Sequence, residues 1–256
     1  MALKITVRGK QFDVLPASHQ VFWEQLAAGT WEPETFAIFE RFLSPEHSYI
    51  DIGAWIGPTL LYGCQLAKAA YALEPDPLAY GELEKNVALN GDRASNVSLF
   101  NACIAIHTGE AALGSRGAGG DSTSSLLFAK KKTHWTVKAL TFADFVRQNS
   151  ISDCNFIKMD IEGGEYRILP LMSEYLVAKR PTLHLSLHPC YLKLPLLGGP
   201  GRVISRIRNT SNVLEALKFY RHIYDHNGRE LTAGQVVAQC RAKISLDIVV
   251  TDQTWQ

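Results

Sequence analysis

No run of 18 apolar residues occurs in this chain of 256, and its first ten residues hold neither a long apolar core nor a small-residue cleavage site. A membrane-spanning helix and a secretory leader are therefore not expected. No Cys-x-x-Cys pair is present among the scattered Cys64, Cys103, Cys154, Cys190 and Cys240. That excludes a zinc ribbon or a redox motif and suits reduced thiols, so a cytoplasmic location is the expectation. Neither sign of charge dominates: 26 Lys and Arg stand against 25 Asp and Glu, a net charge of +1. The single dense basic run, Lys130 to Lys132, reads as a solvated face, and no nucleic-acid partner is expected. Internal repeats and convincing linkers are also missing. What is there, 46% hydrophobic and 20% charged residues, is enough for one globular unit with a sizeable core.

The patterning alternates between strand and helix. Lys4–Val7 and Gln11–Val14 flank Arg8-Gly9-Lys10 as a small hairpin, and His19–Ala28 and Glu34–Leu43 have helical spacing, with Pro33 suited to a helix start. Strands are then expected at Tyr49–Ile52, Ala70–Leu73, Val97–Ala102, Thr136–Leu140, Asn155–Met159 and Thr182–Leu187. Helices over Pro58–Lys68, Pro77–Leu89, Phe142–Gln148 and Glu165–Leu171 fall between them. Such alternation builds right-handed β-α-β units around a parallel sheet. Gly114–Ser125, with four glycines and four serines, reads as a mobile loop. A helix at Asn212–Tyr220 and strands at Ile223–Asp225 and Leu246–Thr251 close the chain, with Asn227-Gly228 as a turn. Residues 1–48 are read as a hairpin and helices packing on a cofactor cleft, and 49–256 as the main domain.

Tyr49-Ile50-Asp51-Ile52-Gly53-Ala54-Trp55-Ile56-Gly57 is an apolar strand running into a turn with two glycines. A glycine there takes positive φ and lets backbone approach a ligand. The spacing is not the Gly-x-Gly-x-x-Gly of dinucleotide binders, and no Lys-Ser/Thr pair makes a phosphate-cradling loop. Twenty-three residues beyond Asp51, at the end of the next strand, stands Glu74, placed to accept hydrogen bonds from a ribose diol. Asp76, before Pro77, suits a helix N-cap. Asp51 inside the crevice would repel a pyrophosphate but could hold an ammonium group. Together the two acids point to a cationic, phosphate-free cofactor, a description that S-adenosyl-L-methionine fits.

At this point the chain resembles the FkbM family of S-adenosylmethionine-dependent methyltransferases. Three blocks carry the resemblance: residues 49–57, then Ala72-Leu73-Glu74-Pro75-Asp76 with Asn86 and Asn90 downstream, then Phe156-Ile157-Lys158-Met159-Asp160-Ile161-Glu162-Gly163-Gly164-Glu165. The resemblance implies a Rossmann-like class I methyltransferase fold, a mostly parallel seven-stranded sheet with helices on both faces. The expected cofactor-binding set is Asp51, Gly53, Ala54, Gly57, Glu74, Pro75 and Asn101. The chain departs from the family in carrying Trp55 where Asn is usual, and His188 near a strand end where Glu is common.

Asp160 ends a central strand, where open α/β sheets place reacting groups. Glu162 and Glu165 follow in a tight turn and could merely complement a helix N-terminus. Lys158, inside an apolar strand, needs a carboxylate partner. His184 and His188 fall on one face of their strand by period two, with His188 nearer the rim as a candidate general base and His184 in support. Catalytic candidates are thus Asp160, Glu162, His184 and His188. Asp160 with His188 could also ligate a divalent metal, whose use stays open. Methyl transfer from a sulfonium needs in-line alignment of the acceptor and removal of its proton. The Asp/Asn-Pro-Pro-Tyr type of motif of amino-methylating nucleic-acid enzymes is missing, which favours a hydroxyl acceptor. The resemblance implies a sugar hydroxyl of a glycan or glycosylated natural product, or another small molecule. An oxidoreductase using a nucleotide cofactor and a non-catalytic methyltransferase-fold binder are the competing readings.

Overall fold

The computed structural model describes the chain apart from residues 17–18, 118, 123, 129–133, 193–197, 243–244 and 256, so the basic run at Lys130–Lys132 lies outside the described residues. The chain opens with the hairpin β1 (Leu3–Val7) and β2 (Lys10–Val14), paired antiparallel in register Leu3 to Val14. Arg8 and Gly9, both at positive φ, make the tight turn that a right-twisted hairpin requires. Helices α1 (Gln20–Ala27) and α2 (Pro33–Phe42) follow, the second started by its proline as expected.

The main body then alternates through β3 (Ser48–Ile52), α3 (Pro58–Gly63), β4 (Ala69–Leu73), α4 (Pro77–Leu89), β5 (Val97–Phe100), β6 (Cys103–Ile104), β7 (Gly109–Gly114) and β8 (His134–Leu140). It continues with α5 (Phe142–Gln148), β9 (Cys154–Met159), α6 (Glu165–Ile168), α7 (Ser173–Lys179) and β10 (Thr182–Leu187). The final elements are α8 (Gly198–Leu217), β11 (His222–Asp225), α9 (Ala233–Ala242) and β12 (Leu246–Thr251). Seven strands form one sheet in the order β11-β12-β10-β9-β3-β4-β5, in which β12 alone runs against its neighbours. The fold is the expected Rossmann-like α/β sheet, with strand order reversing on either side of β3 and β9.

Every residue of β3 is buried, because helices cover both faces. On one face Ile50, Ile52, Ile157 and Met159 pack under Phe145, Tyr166, Val213 and Val236. On the other, Tyr49, Ala72 and Phe156 pack against Trp23, Phe36, Leu60 and Leu83. Asn86 of α4 and Asn90, which caps its C-terminus, tie the hairpin to this second layer. Asn86 Oδ1 accepts from Leu15 N at 2.8 Å, Asn90 Oδ1 accepts from Asp13 N at 2.9 Å, and Asn90 Nδ2 donates to Asp13 O at 2.8 Å. Buried amides there satisfy backbone groups of β2 and its exit that have no strand partner. Among the described residues no helix is long and apolar enough to cross a membrane.

Three departures from the sequence reading have local causes. The strand expected over Val97–Ala102 breaks after Phe100, because the Asn101 side chain donates to Glu74 O at 2.8 Å and Pro75 O at 3.3 Å and turns the chain away. The segment expected at Thr136–Leu140 therefore does not extend the main sheet. As β8 it pairs parallel with β6 and antiparallel with β7 in a separate three-stranded sheet. The helix expected at Asn212–Tyr220 is instead the 20-residue α8, whose Gly-Gly-Pro-Gly start reads as a loop although proline is tolerated in a first turn.

Candidate functional site

The site grows from the carboxyl ends of β3, β4, β9 and β10. Gly53 leaves β3 with φ 88°, and a Cβ added to it would stand 2.0 Å from the carbonyl oxygen of Asp160. Its lack of a side chain thus lets the ends of β3 and β9 close on each other. Gly57, at φ 94°, is needed for a different contact, since its Cβ would meet Leu83 Cδ1 of α4 at 2.8 Å. It packs helices and does not line the cavity.

Between these strand ends and the second sheet lies a cavity of about 570 Å³. That is within the ~300–1,000 Å³ usual for small-molecule sites. Gly53, Ala54, Glu74 and Pro75 line one part of it, and Asp160, Glu162 and His188 another. Glu74 is buried at the end of β4, its Oε2 accepting from Trp55 N at 2.9 Å and its Oε1 from Asp76 N at 2.8 Å. Burial pushes its carboxyl up to about 7, and the backbone donors of Asp76 and Trp55 oppose that rise.

Asp51 is placed otherwise than the sequence suggested. It is fully buried beneath the cavity and does not line it. Its Oδ1 lies 3.2 Å from Lys158 Nζ, and its Oδ2 accepts from Thr59 Oγ1 at 3.0 Å. The carboxylate partner that Lys158 needs is therefore Asp51, and both charges are spent inside the sheet. Burial works against the Lys158 ammonium, but the charges of Asp51 and Asp160 outweigh it and hold its pKa above the usual lysine value. Asn101 likewise shapes the wall through the backbone carbonyls it binds and is not on the lining.

Trp55, at φ 51°, walls the cavity together with Phe22 and Trp31. Its ring meets Phe22 edge-on at a centroid distance of 4.7 Å, and its Nε1 donates to Gly120 O at 2.9 Å. Gly120 belongs to the glycine- and serine-rich loop, which runs over the cavity and is anchored at several points. Asp76, besides capping α4, accepts at Oδ2 from Gly120 N at 2.9 Å and from Ser124 Oγ at 2.7 Å. Ser125 Oγ donates to Glu162 O at 3.0 Å. The loop is thereby tied to both parts of the lining.

At the far part, His188 is surrounded by carboxyl groups. Its Nδ1 lies 3.2 Å from Glu165 Oε1, and its Nε2 lies 3.8 Å from both Asp160 Oδ1 and Glu162 Oε1. Burial alone would lower the imidazole, but the bond to Glu165 and the nearby acids push it up to about 10. The carboxyl groups around it favour the protonated imidazole, which weighs against His188 as the general base. Glu165, first residue of α6, is fully buried and accepts from Ile161 N at 2.9 Å, so it serves both the helix start and the histidine. Glu162 takes a left-handed φ of 53° to reach this position. His184 is not brought to the cavity. It is buried against Phe39 with neither ring nitrogen hydrogen-bonded, and burial pushes it down to about 4.

Sequence reasoning missed the aromatic wall of Phe22 and Trp31 and the lining residue Glu32. The last stands beside Pro33, and its left-handed φ of 39° has no local sequence signal. The family model described as the methyltransferase FkbM domain matches residues 51–195, more than half of the chain. No curated protein matches the chain. A solved structure of methyltransferase FkbM from Methylobacillus flagellatus KT is 17% identical, with 89% of this chain and 54% of that one covered and a TM-score of 0.49. The present chain thus spans about half the length of that protein. TYW2 from P. horikoshii in complex with MeSAdo is 12% identical over 98% of this chain and 72% of that one, with a TM-score of 0.47. TYW2 from M. jannaschii in complex with AdoMet is 15% identical over 97% and 84%, with a TM-score of 0.45.

Proposed function

Because the chain belongs to the FkbM methyltransferase family, we propose that it transfers a methyl group from S-adenosylmethionine to a hydroxyl group held beside Asp160 and Glu162. One observation carries this reading: a single cavity runs from the buried Glu74 carboxyl to the Asp160, Glu162 and His188 group. Bound S-adenosylmethionine supplies a methyl group on a sulfonium, already activated for displacement.

The residues present fit that cofactor. Glu74 has both oxygens fixed by backbone N–H groups and still faces the cavity, so its remaining lone pairs suit a ribose diol. Lys158, which reaches the lining, is already paired with Asp51 and offers no free charge to a pyrophosphate. Among the described residues, six acids on the lining, Glu32, Glu74, Glu110, Asp121, Asp160 and Glu162, outnumber its two permanent cations, Lys158 and Arg167, and that balance suits a cationic cofactor. Gly53 and Ala54, beside Glu74, would carry the cofactor across the β3 end.

For the acceptor, Glu162 takes the hydroxyl proton, while His188, held by Glu165, fixes the orientation of Glu162 and Asp160. We propose a sugar hydroxyl as that acceptor, supported by the half-buried aromatic wall of Phe22, Trp31 and Trp55, whose apolar faces match a sugar ring. Calorimetric titration with S-adenosylmethionine and S-adenosylhomocysteine tests the first part, and absence of heat with both refutes it. For the second, S-adenosylhomocysteine release is followed over a panel of methyl glycosides. Glu162→Gln is expected to keep cofactor affinity and lose about 10²–10⁴-fold in kcat on the best of them. Unchanged kcat would remove Glu162 from that role.

A further inference from the structure

Asp160, Glu165 and His188 come from three segments that the fold brings together: the β9 end, the first residue of α6 and the residue after β10. Each offers one ligand atom, and the three atoms lie within 4.8 Å of one another. Donors bound to one cation at ~2.0–2.2 Å can stand no more than about 4.4 Å apart. The observed set is therefore within a small side-chain adjustment of a coordination shell.

A second observation points the same way. Glu165 is completely buried, and while its Oε1 serves Ile161 N and His188, its Oε2 has no hydrogen-bond partner. A carboxylate oxygen shut away from water without a partner is a standing desolvation cost, which a bound cation would remove. The pairing of Glu165 with His188 does not relieve it, because only one oxygen takes part.

We propose that Asp160, Glu165 and His188 bind a divalent transition-metal cation, which displaces a ring proton of His188 to solvent and keeps its open coordination positions facing the cavity. One imidazole and two carboxylates form a mixed nitrogen and oxygen set that suits Mn²⁺, Fe²⁺ or Zn²⁺ better than Ca²⁺, which takes oxygen ligands. Asp160 and His188 line the cavity and Glu165 closes the set from behind, so the free positions point towards the acceptor. Resting on the methyl-transfer reading, the cation's role is to hold the acceptor hydroxyl and lower its pKa before Glu162 receives the proton.

The full chain, freed of metal with EDTA and dialysed, is titrated calorimetrically with MnCl₂ and with ZnCl₂, no cofactor being present. One ion per chain is expected, and His188→Ala and Glu165→Gln each lose at least about tenfold in affinity. Asp160→Asn should lose as much. Its side chain is 34% exposed, so this variant is expected to fold even if the Glu165 change is not tolerated, and its thermal melt checks that. His222→Ala, whose ring pairs with Glu230 at 2.8 Å elsewhere, should bind as the wild type does. Absence of binding of both ions to the wild type, or wild-type affinity in folded Asp160→Asn and His188→Ala, overturns the proposal. Heat with S-adenosylmethionine is measured separately: its persistence when no ion binds removes the metal site alone, and its loss when an ion binds removes the methyl-transfer reading alone.

Discussion

Replacing Gly53 by alanine tests whether the closeness of two strand ends makes the site. The added Cβ would lie 2.0 Å from Asp160 O, 3.0 Å from its carbonyl carbon and 3.2 Å from Ile161 Cγ2. The carbonyl has little freedom to retreat, because Asp160 N is bonded to Ile52 O at 3.0 Å in the ladder between the same strands. A left-handed φ costs an alanine roughly 1–2 kcal/mol, and overpacking of this kind costs roughly 1–3 kcal/mol more. Taken together the loss is about 2–5 kcal/mol. At ~2–4 °C per kcal/mol for a chain of this size, the melting temperature should fall by about 4–20 °C. The folded fraction should also show lower turnover, since moving the Asp160 backbone moves the carboxyl beside the acceptor. Gly81→Ala is the control, because Gly81 lies inside α4 with nothing within 4 Å of its added Cβ. It should gain about 0.5–1 kcal/mol. Differential scanning calorimetry and cofactor titration on both variants decide the matter. A Gly53→Ala protein that melts with the wild type and turns over normally would refute the account of Gly53.

The remaining expectations concern the two buried acids. Glu74→Gln keeps the shape but sets an amide N–H against one of two backbone donors, so S-adenosylmethionine affinity should drop by about 10–100-fold in calorimetry. With the Glu74 carboxyl pushed up to about 7 in the free protein, cofactor affinity should rise with pH through that value, weakening by about tenfold per unit below it, and the dependence should flatten in Glu74→Gln. For the free protein the sign is reversed: the folded form binds the extra proton, so this group's contribution to stability is greatest at low pH and is lost as pH rises from the usual carboxylate range to about 7. Lys158→Met leaves Asp51 buried without its ion-pair partner and should cost about 3–5 kcal/mol in urea melts, with partial recovery in the double variant Asp51→Asn, Lys158→Met. No recovery would show that the pair is not what the lysine contributes.

Asp51 and Glu74 were equally legible as acids at strand ends, yet only one reaches the cavity, and the cause lies in what the fold sets beside each. Asp51 pairs in register with Lys158 across the β3 and β9 ladder, which places both side chains on one face, so the aspartate turns inward to the ammonium. Glu74 stands one residue past β4, beyond the ladder, where the neighbouring groups are backbone N–H donors that leave it facing outward. The histidines parted for a related reason. Period two puts His184 and His188 on one face only while the chain stays extended, and β10 ends at Leu187, with His188 at φ −112° and ψ 70°. That change of ψ swings the second ring to Glu165 and leaves the first under Phe39. Patterns of alternation thus find the seven strands of the main sheet but also assign Thr136–Leu140 to it, and they lose side-chain direction within one residue of a strand end, where strand geometry stops constraining it. Because α/β sheets place their sites just past that edge, the fold and the family motif can be read from a single chain while individual roles depend on the first turn after each strand.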